Sequence, residues 1–141
     1  MERKASAVWS GGLKDGKGAV STSSGALKEV PYNFSMRFEN APGTNPEELV
    51  AAAHAGCFSM ALSGQLGAAN LKAERIATTA TVTLEHLAAG WTIMNIHLNV
   101  VARLSRLTQG EFIDATVRAK TSCLVSRLMR VNISMNAKLE N

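Results

Sequence analysis

The fold of this chain is decided by residues 44–62, which read TNPEELVAAAHAGCFSMAL. Asn45 is a suitable helix N-cap, and Pro46 fits the first helical position because its missing N–H would be unpaired there. Glu48, three residues after Asn45, resembles the acidic member of a capping box. The Ala-rich body that follows is apolar nearly all round. We therefore predict a helix that runs to about Leu66 or the glycine after it and is buried on most sides.

Strand patterns lie on both sides of this helix. Before it, short segments joined by glycine turns extend from Ala5 to about Phe38 and predict a β-meander. After it, segments rich in β-branched residues predict further strands, and a capping box at 108–111 predicts a helix to about Ser122. The later strands are predicted over 75–85, 91–102 and 131–139, with a hairpin loop at 86–90 and a short helix over about 124–129. The order βββ-α-ββ-α-β predicts one α+β domain over residues 1–141.

The composition is that of a single domain with a substantial core and few charges. The chain has 141 residues, of which 46% are hydrophobic, 5% aromatic and 18% charged. Because 18% is below the usual charged share, we expect part of the surface to pack against another subunit. We expect no secretory signal behind Met1, and the apolar run 49–62 is too short to span a bilayer. The prediction is a soluble cytoplasmic protein that does not bind membranes.

The formal net charge of +4 is concentrated between Arg103 and Arg130. This excess has two readings, a solvated helix face or a surface that attracts anionic substrates or partners. Nucleic acid is disfavoured as the partner, because the chain has no basic tail and few aromatic side chains for stacking.

Cys57 and Cys123 are the candidate chemical groups. A free cysteine is often a small buried hydrophobe, so a structural role for each remains open. Neither cysteine belongs to a CxxC pair or to a histidine cluster, so no metal site is predicted. His54 lies three residues before Cys57 and either faces it as a base or is satisfied elsewhere.

A reactive thiolate needs a nearby cation, and a carboxylate can hold that cation in place. Arg37, just before the helix, is the candidate cation. The alternative is an arginine on an edge strand that points to water.

Residues 44–62 closely resemble the helix of the OsmC/Ohr family, which comprises thiol-dependent peroxidases of the osmotically inducible and organic hydroperoxide resistance types. The resemblance covers nearly the whole chain. The OsmC branch is indicated by GKG at 16–18, VST at 20–22, PY at 31–32, RFE at 37–39 and the 66-residue gap between Cys57 and Cys123. The resemblance implies an OsmC-like fold, in which two sheets surround the central helices of an intertwined homodimer.

The resemblance also implies four catalytic roles. Cys57 matches the peroxidatic cysteine, and Cys123 matches the resolving cysteine that forms a disulfide with it. Arg37 matches the arginine that stabilises the thiolate, and Glu47 matches the glutamate that orients this arginine. No cofactor is expected, and the implied reductant is an external dithiol such as a dihydrolipoyl group on a partner protein.

Helix geometry adds one constraint. Glu47 and Cys57 are ten residues apart, or about 15 Å along a helix axis. If both serve one site, they come from different chains, which agrees with the implied homodimer. In one respect the chain departs from the family, since Leu124 stands where a proline usually follows the resolving cysteine.

The sequence therefore predicts a homodimeric peroxidase that acts in oxidative or osmotic stress. Organic hydroperoxides are favoured over hydrogen peroxide as substrates. This preference depends on apolar residues expected near Cys57, namely Phe34, Met36, Phe38, Phe58 and Met60. The alternatives are a non-catalytic stress-related binding module that retains the fold and an RNA-binding protein that uses the basic segment.

Overall fold

The computed structural model describes residues 1–140, which form two compact units. The first unit covers residues 1–49, and the second begins at Val50. The strands are β1 Ala5–Ser10, β2 Lys17–Thr22, β3 Val30–Tyr32, β4 Arg75–Leu87, β5 Gly90–Arg103 and β6 Asn132–Glu140, and the helices are α1 Phe34–Phe38, α2 Pro46–Ala68, α3 Gln109–Ser122 and α4 Leu124–Leu128. The predicted α+β class is confirmed.

The first unit contains an antiparallel sheet in the order β1-β2-β3, which is the predicted meander. Trp9 on β1, Gly18 on β2 and Tyr32 on β3 lie in register across it. The Trp9 and Tyr32 rings pack together with their centroids 5.5 Å apart. A Cβ atom on Gly18 would lie 2.6 Å from the Tyr32 ring, so this close approach requires a glycine.

Residues 34–38 form a helix, which corrects the prediction that the meander continues to about Phe38. Asn33 caps this helix, because its side chain accepts a hydrogen bond of 2.9 Å from the Met36 N–H. The local cap outweighs the alternation of apolar residues that suggested a strand. Arg37 therefore lies on α1, and its interpretation as an edge-strand residue is wrong.

The second unit places helices against a sheet in the order β4-β5-β6. Strand β5 is central and buries one face through alternate residues, which are Ile96, Leu98, Val100 and Ala102. These side chains share a core with Phe58 and Leu62 of α2 and with Phe112 and Ala119 of α3. Because β5 and β6 are parallel, the chain needs a crossover between them, and α3 and α4 supply it.

The beginning of α2 matches the sequence prediction. The Asn45 side chain accepts a hydrogen bond of 2.8 Å from the Glu48 N–H, as an N-cap does. The Glu48 carboxylate accepts a hydrogen bond of 3.0 Å from the Thr44 hydroxyl. A single turn of sequence therefore defines where the helix starts.

Within this single chain, helix α2 has one buried side, whereas the sequence predicts burial on most sides. Its fully or almost fully buried side chains recur every fourth residue and are His54, Phe58, Leu62 and Leu66. Its exposed residues are mostly small, namely Ala52, Ala53, Gly56, Ser63, Gly64, Gly67 and Ala68. An Ala-rich helix is apolar all round, and so its composition does not report how many sides are covered.

By length and composition alone, α2 is also the one helix within residues 1–140 that is long and apolar enough to cross a membrane. It is longer than the apolar run 49–62 because the helix continues through Gly67. Core helices of water-soluble proteins satisfy the same criterion. Within this chain the buried residues of α2 form one stripe, from His54 to Leu66.

Candidate active site

The second unit brings the two cysteines together. Cys57 lies on α2, and Cys123 ends α3 and precedes α4 as the N-cap residue. Their Sγ atoms are 3.1 Å apart, and both thiols are free. This distance is a hydrogen-bond contact, so the two sulfurs can share one proton, and a small side-chain rotation would bring them to disulfide distance.

Helix α3 determines where Cys123 lies. The helix starts at a capping box, in which the Thr108 hydroxyl accepts from the Glu111 N–H and the Glu111 carboxylate accepts from the Thr108 N–H. Its buried face, which includes Phe112 and Ala119, packs into the core. Cys123 is therefore anchored by the same packing and is only 1% exposed.

Cys57 is the more accessible of the two thiols. It is half-buried and lines an open pocket of about 420 Å³ in the second unit. The pocket is lined by Cys57, Met60, Ala61, Gly64, Gln65, Ser122, Cys123 and Leu124. A small molecule that enters from solvent meets Cys57 before the buried sulfur of Cys123.

Within the second unit, the pKa values of the two thiols are shifted in opposite directions. Burial raises the pKa of Cys57, and the neighbouring Cys123 thiol raises it further, against backbone N–H groups of Val125 and Leu124 that lower it. Burial also raises the pKa of Cys123, but the hydroxyl and N–H of Ser126 and the Cys57 thiol outweigh it, so the pKa is lowered. These contacts favour a thiolate on Cys123, not on Cys57.

His54 contacts Ser126. Its Nε2 atom is 2.7 Å from the Ser126 Oγ, and its ring is completely buried. Burial lowers the pKa of His54, which favours the neutral ring. Of the two alternatives for His54, the structure shows the one in which its Nε2 atom is hydrogen-bonded to a residue other than Cys57. Its Nδ1 atom has no hydrogen-bond partner within residues 1–140.

The first unit brings Arg37 and Glu47 together. Arg37 Nε donates to both carboxylate oxygens at 3.0 and 3.1 Å, and Nη2 donates to Oε1 at 2.6 Å. The Arg37 side chain is 39% exposed, whereas that of Glu47 is 10% exposed. The Arg37 guanidinium also lies 4.9 Å from the centre of the Phe38 ring. This geometry holds the cation in one orientation.

The apolar residues that the sequence assigned to the approach to Cys57 do not share one location. Phe58 belongs to the core, and Met60 lines the pocket beside Cys57. Phe34 and Phe38 line a different pocket of about 270 Å³ within the first unit, together with Trp9, Leu13, Tyr32, Asn33 and Arg37. Met36 packs against Gly43.

Ser126 was not identified from the sequence. The available signal was its position three residues after Cys123, which places both side chains on one face of a short helix. His54 precedes Cys57 by the same interval. Within residues 1–140, no group of three or more His, Cys, Asp or Glu side chains could hold a metal ion.

Comparison with known sequences identifies relatives of the whole chain. The OsmC-like protein family matches residues 38–138. Peroxiredoxin OsmC from Escherichia coli (strain K12) is 43% identical over 141 residues, which cover 100% of this chain and 99% of the relative. Peroxiredoxin OsmC from Shigella flexneri matches to the same extent.

Solved structures agree with the fold. An organic hydroperoxide resistance protein from Elizabethkingia anophelis has a TM-score of 0.70 and 26% identity, over 100% of this chain and 98% of that one. An OsmC like protein from Mycoplasma pneumoniae has a TM-score of 0.78 at 12% identity, over 100% and 99% of the two chains, and shows the shared fold alone. The names of the 43% and 26% identical proteins support the predicted enzyme class, a cysteine-based peroxidase. The family match and the full-length identity together show that this chain belongs to the OsmC family.

Proposed function

We propose that this protein is a two-cysteine peroxidase that reduces organic hydroperoxides, and hydrogen peroxide more weakly. One observation carries the proposal. The half-buried Cys57 borders an open pocket and lies 3.1 Å from the buried Cys123. A thiol that meets substrate and a second thiol within reach of it are the two groups that such a cycle requires.

The proposed chemistry has two steps. The Cys57 thiolate attacks the distal peroxide oxygen and the O–O bond breaks. The alkoxide leaves as an alcohol after taking a proton, and Cys57 becomes a sulfenic acid. The Cys123 thiolate then attacks the Cys57 sulfur, the disulfide forms, and hydroxide leaves as water after protonation. An external dithiol, which we propose to be a dihydrolipoyl group on a partner protein, reduces the disulfide.

The pocket favours organic hydroperoxides. Met60 and Leu124 are 78% and 71% exposed beside it, and the other lining residues are mostly small. An alkyl group on the peroxide would cover this apolar surface, which hydrogen peroxide cannot do. The expected preference is a difference in kcat/KM.

The Arg37–Glu47 pair is proposed to supply the charge that Cys57 lacks. Contacts within the second unit raise the pKa of Cys57, so a peroxidatic role needs a further cation. Arg37 is held by Glu47 in a bidentate contact, in the orientation that the family resemblance implies. We propose that this pair serves a Cys57 thiolate across a homodimer.

Two features support the homodimer. The exposed stripe of small residues on α2 allows close approach of another helix, and the chain has a low charged share of 18%. The proposed compartment is the cytoplasm, where thiol reductants keep cysteines reduced between turnovers. The proposed setting is oxidative or osmotic stress, in line with the family.

Intact-mass spectrometry of reduced protein tests the proposal. One equivalent of cumene hydroperoxide should remove two hydrogens within the mixing time, and peptide mapping should locate a Cys57–Cys123 disulfide. Cys57→Ser is the control and should lose no hydrogens. An unchanged mass, with both thiols still open to alkylation, would favour the alternative of a non-catalytic binding module.

A further inference from the structure

The basic segment of the chain contains cations with partners and cations without. Arg103 lies 3.9 Å from a carboxylate oxygen, and Lys120 donates to a backbone carbonyl at 2.5 Å. Arg106 and Arg118 have no ion pair or side-chain hydrogen bond within residues 1–140. Both of these arginines line one open pocket of about 360 Å³ in the second unit. The unpaired charge is therefore gathered at a concave site.

Most of the other side chains that line this pocket are apolar. Leu66 and Ala115 are only 2% and 3% exposed, and Leu71 and Leu107 are partly buried against the same core. The volume lies within the range of about 300–1,000 Å³ that is usual for small-molecule sites. The pocket thus offers an apolar wall to a hydrocarbon group and two guanidinium groups to a polar one.

The charge of the lining suits a monoanion. Glu111 is the acidic residue at the pocket, and its carboxylate accepts bonds of 2.8 Å from the N–H and the hydroxyl of Thr108. These bonds lower the pKa of Glu111 and keep it ionised at neutral pH. Two positive charges and one negative charge leave a formal excess of one. A carboxylate has that charge and the planar geometry that guanidinium groups bind.

The backbone of Arg106 adds a second observation. Its φ of 69° is in the left-handed region, which glycine adopts without steric cost and an arginine does not. Non-glycine residues in this conformation concentrate at ligand-binding positions. The chain therefore carries a long cationic side chain at a position of the pocket where glycine would be less strained.

We propose that this pocket binds an alkyl carboxylate of medium chain length, with the carboxylate held by Arg106 and Arg118 and the alkyl chain on the apolar lining. The pocket shares Gln65, and no other lining residue, with the pocket at Cys57. It is therefore a separate neighbouring site. Binding there requires no thiol chemistry and is independent of the proposed function.

Isothermal titration calorimetry of the full chain with sodium octanoate tests the site. Octanoate should bind saturably, with a Kd of about 1 mM or lower for a ligand of this size. Arg118→Gln and Arg106→Gly should each weaken binding about tenfold or more, because each removes a charge-assisted contact. Glycine permits the left-handed backbone, so Arg106→Gly should keep the loop.

Arg130→Gln is the matched control, since it removes the same charge from an exposed position of the same segment. Its affinity for octanoate should equal that of the unaltered protein. Absence of saturable binding, or equal weakening in Arg130→Gln and the two pocket variants, would overturn the proposal.

Two analogues separate the parts of the ligand. Octanol has the chain without the charge, acetate has the charge without the chain, and each should bind at least about tenfold more weakly than octanoate. Acetate binding as tightly as octanoate would refute the apolar half of the site, and octanol doing so would refute the arginine half.

The neighbouring pocket is tested by filling it. Octanoate affinity should be unchanged after Cys57 is alkylated with N-ethylmaleimide. Loss of binding on alkylation would place the ligand at Cys57 and overturn the proposal. The outcome does not depend on whether the protein reduces hydroperoxides, so failure here leaves the proposed function untouched.

Discussion

The two candidate residue pairs, one in each unit, differ in how the chain builds them. Arg37 and Glu47 are ten residues apart and oppositely charged, and Arg37 is partly exposed whereas Glu47 is buried. Cys57 and Cys123 are 66 residues apart, their sulfur atoms are in hydrogen-bond contact, and both residues pack against or within the core. The ion pair depends on the end of α1 and the start of α2, which are close together in the chain, whereas the thiol pair depends on the packing of α2 against the crossover.

The two pairs have different parts in the proposed mechanism, because one forms bonds and the other supplies charge. In the proposed mechanism the thiol pair supplies the atoms that react, yet burial raises the pKa of the accessible Cys57. The ion pair supplies a fixed cation but no nucleophile. Variants of the thiol pair should therefore stop the reaction, and variants of the ion pair should only slow it.

The largest effect is expected from Cys57→Ser. Hydroperoxide turnover should fall to the uncatalysed level, because a serine hydroxyl at neutral pH is a far weaker nucleophile than a thiolate. The rate at which cumene hydroperoxide is consumed in the presence of a dithiol reductant measures this turnover. Retention of full activity would remove Cys57 from the mechanism.

Cys123→Ser should separate the two thiols. It should allow one oxidation of Cys57, after which the sulfenic acid cannot form the disulfide and proceeds to sulfinic acid under excess peroxide. Mass spectrometry should show one added oxygen, then two, on Cys57. A normal catalytic cycle in this variant would contradict the resolving role.

Arg37→Ala should slow the first step about ten- to hundredfold, which is the usual loss for one charge-assisted contact. The pH profile of Cys57 alkylation should move to higher pH, since the thiolate loses its cation. Glu47→Gln is the matched variant and should slow the first step less than Arg37→Ala does, because the Arg37 cation remains.

Mixing Arg37→Ala with Cys57→Ser tests the homodimer. If each site takes its cation from one copy and its thiol from the other, mixed dimers contain one intact site. Activity should then rise above that of either parent after the subunits exchange. No recovery, with exchange confirmed by native mass spectrometry, would place both groups in one chain or deny the role of Arg37.

Leu124→Pro examines the departure from the family pattern. The Cys123 backbone has φ −61° and ψ 122°, which a following proline permits. Proline would remove the Leu124 N–H that lowers the pKa of Cys57, so this pKa should rise and the first step should slow about threefold. Unfolding should become harder by about 0.5 kcal/mol, since the unfolded chain loses freedom. A faster first step would show that rigidity outweighs the lost donor.

The smallest effect concerns the start of α3. Thr108→Ala should lower the free energy of unfolding by about 1 kcal/mol at neutral pH, with turnover unchanged well below the unfolding temperature. The N–H and hydroxyl of Thr108 lower the pKa of Glu111 in the folded state, and Thr108→Ala removes only the hydroxyl. The part of the stabilisation that comes from this hydroxyl's bond to the Glu111 carboxylate is present above the ordinary glutamate pKa and is lost as pH falls through the folded value. Urea unfolding at several pH values measures the difference in the free energy of unfolding between Thr108→Ala and the unaltered protein. This difference should become smaller in acid.

Local signals predicted the elements well. Asn45 and Thr108 are caps in the structure, and α2 and α3 begin where these residues indicated. The α+β class followed from the order of the predicted elements, and the family followed from the resemblance of residues 44–62 and the other quoted motifs. The helix over 34–38 was missed because the cap at Asn33 competed with a strand-like alternation, and one hydrogen bond decided between them.

The sequence by itself determined the helix starts and the strand segments, because each depends on residues close together in the chain. It indicated the family through its resemblance to OsmC/Ohr proteins, and that resemblance implies roles for Cys57, Cys123, Arg37 and Glu47 that stay predictions. Only the tertiary structure decided that α2 buries a single stripe, that Cys57 is the accessible thiol and that His54 contacts Ser126 rather than Cys57. These features depend on which faces of distant elements pack together. Helix α2 is apolar all round, so hydropathy did not specify its covered face, although its large side chains recur every fourth residue from His54 to Leu66. The packing of the second unit defines that face.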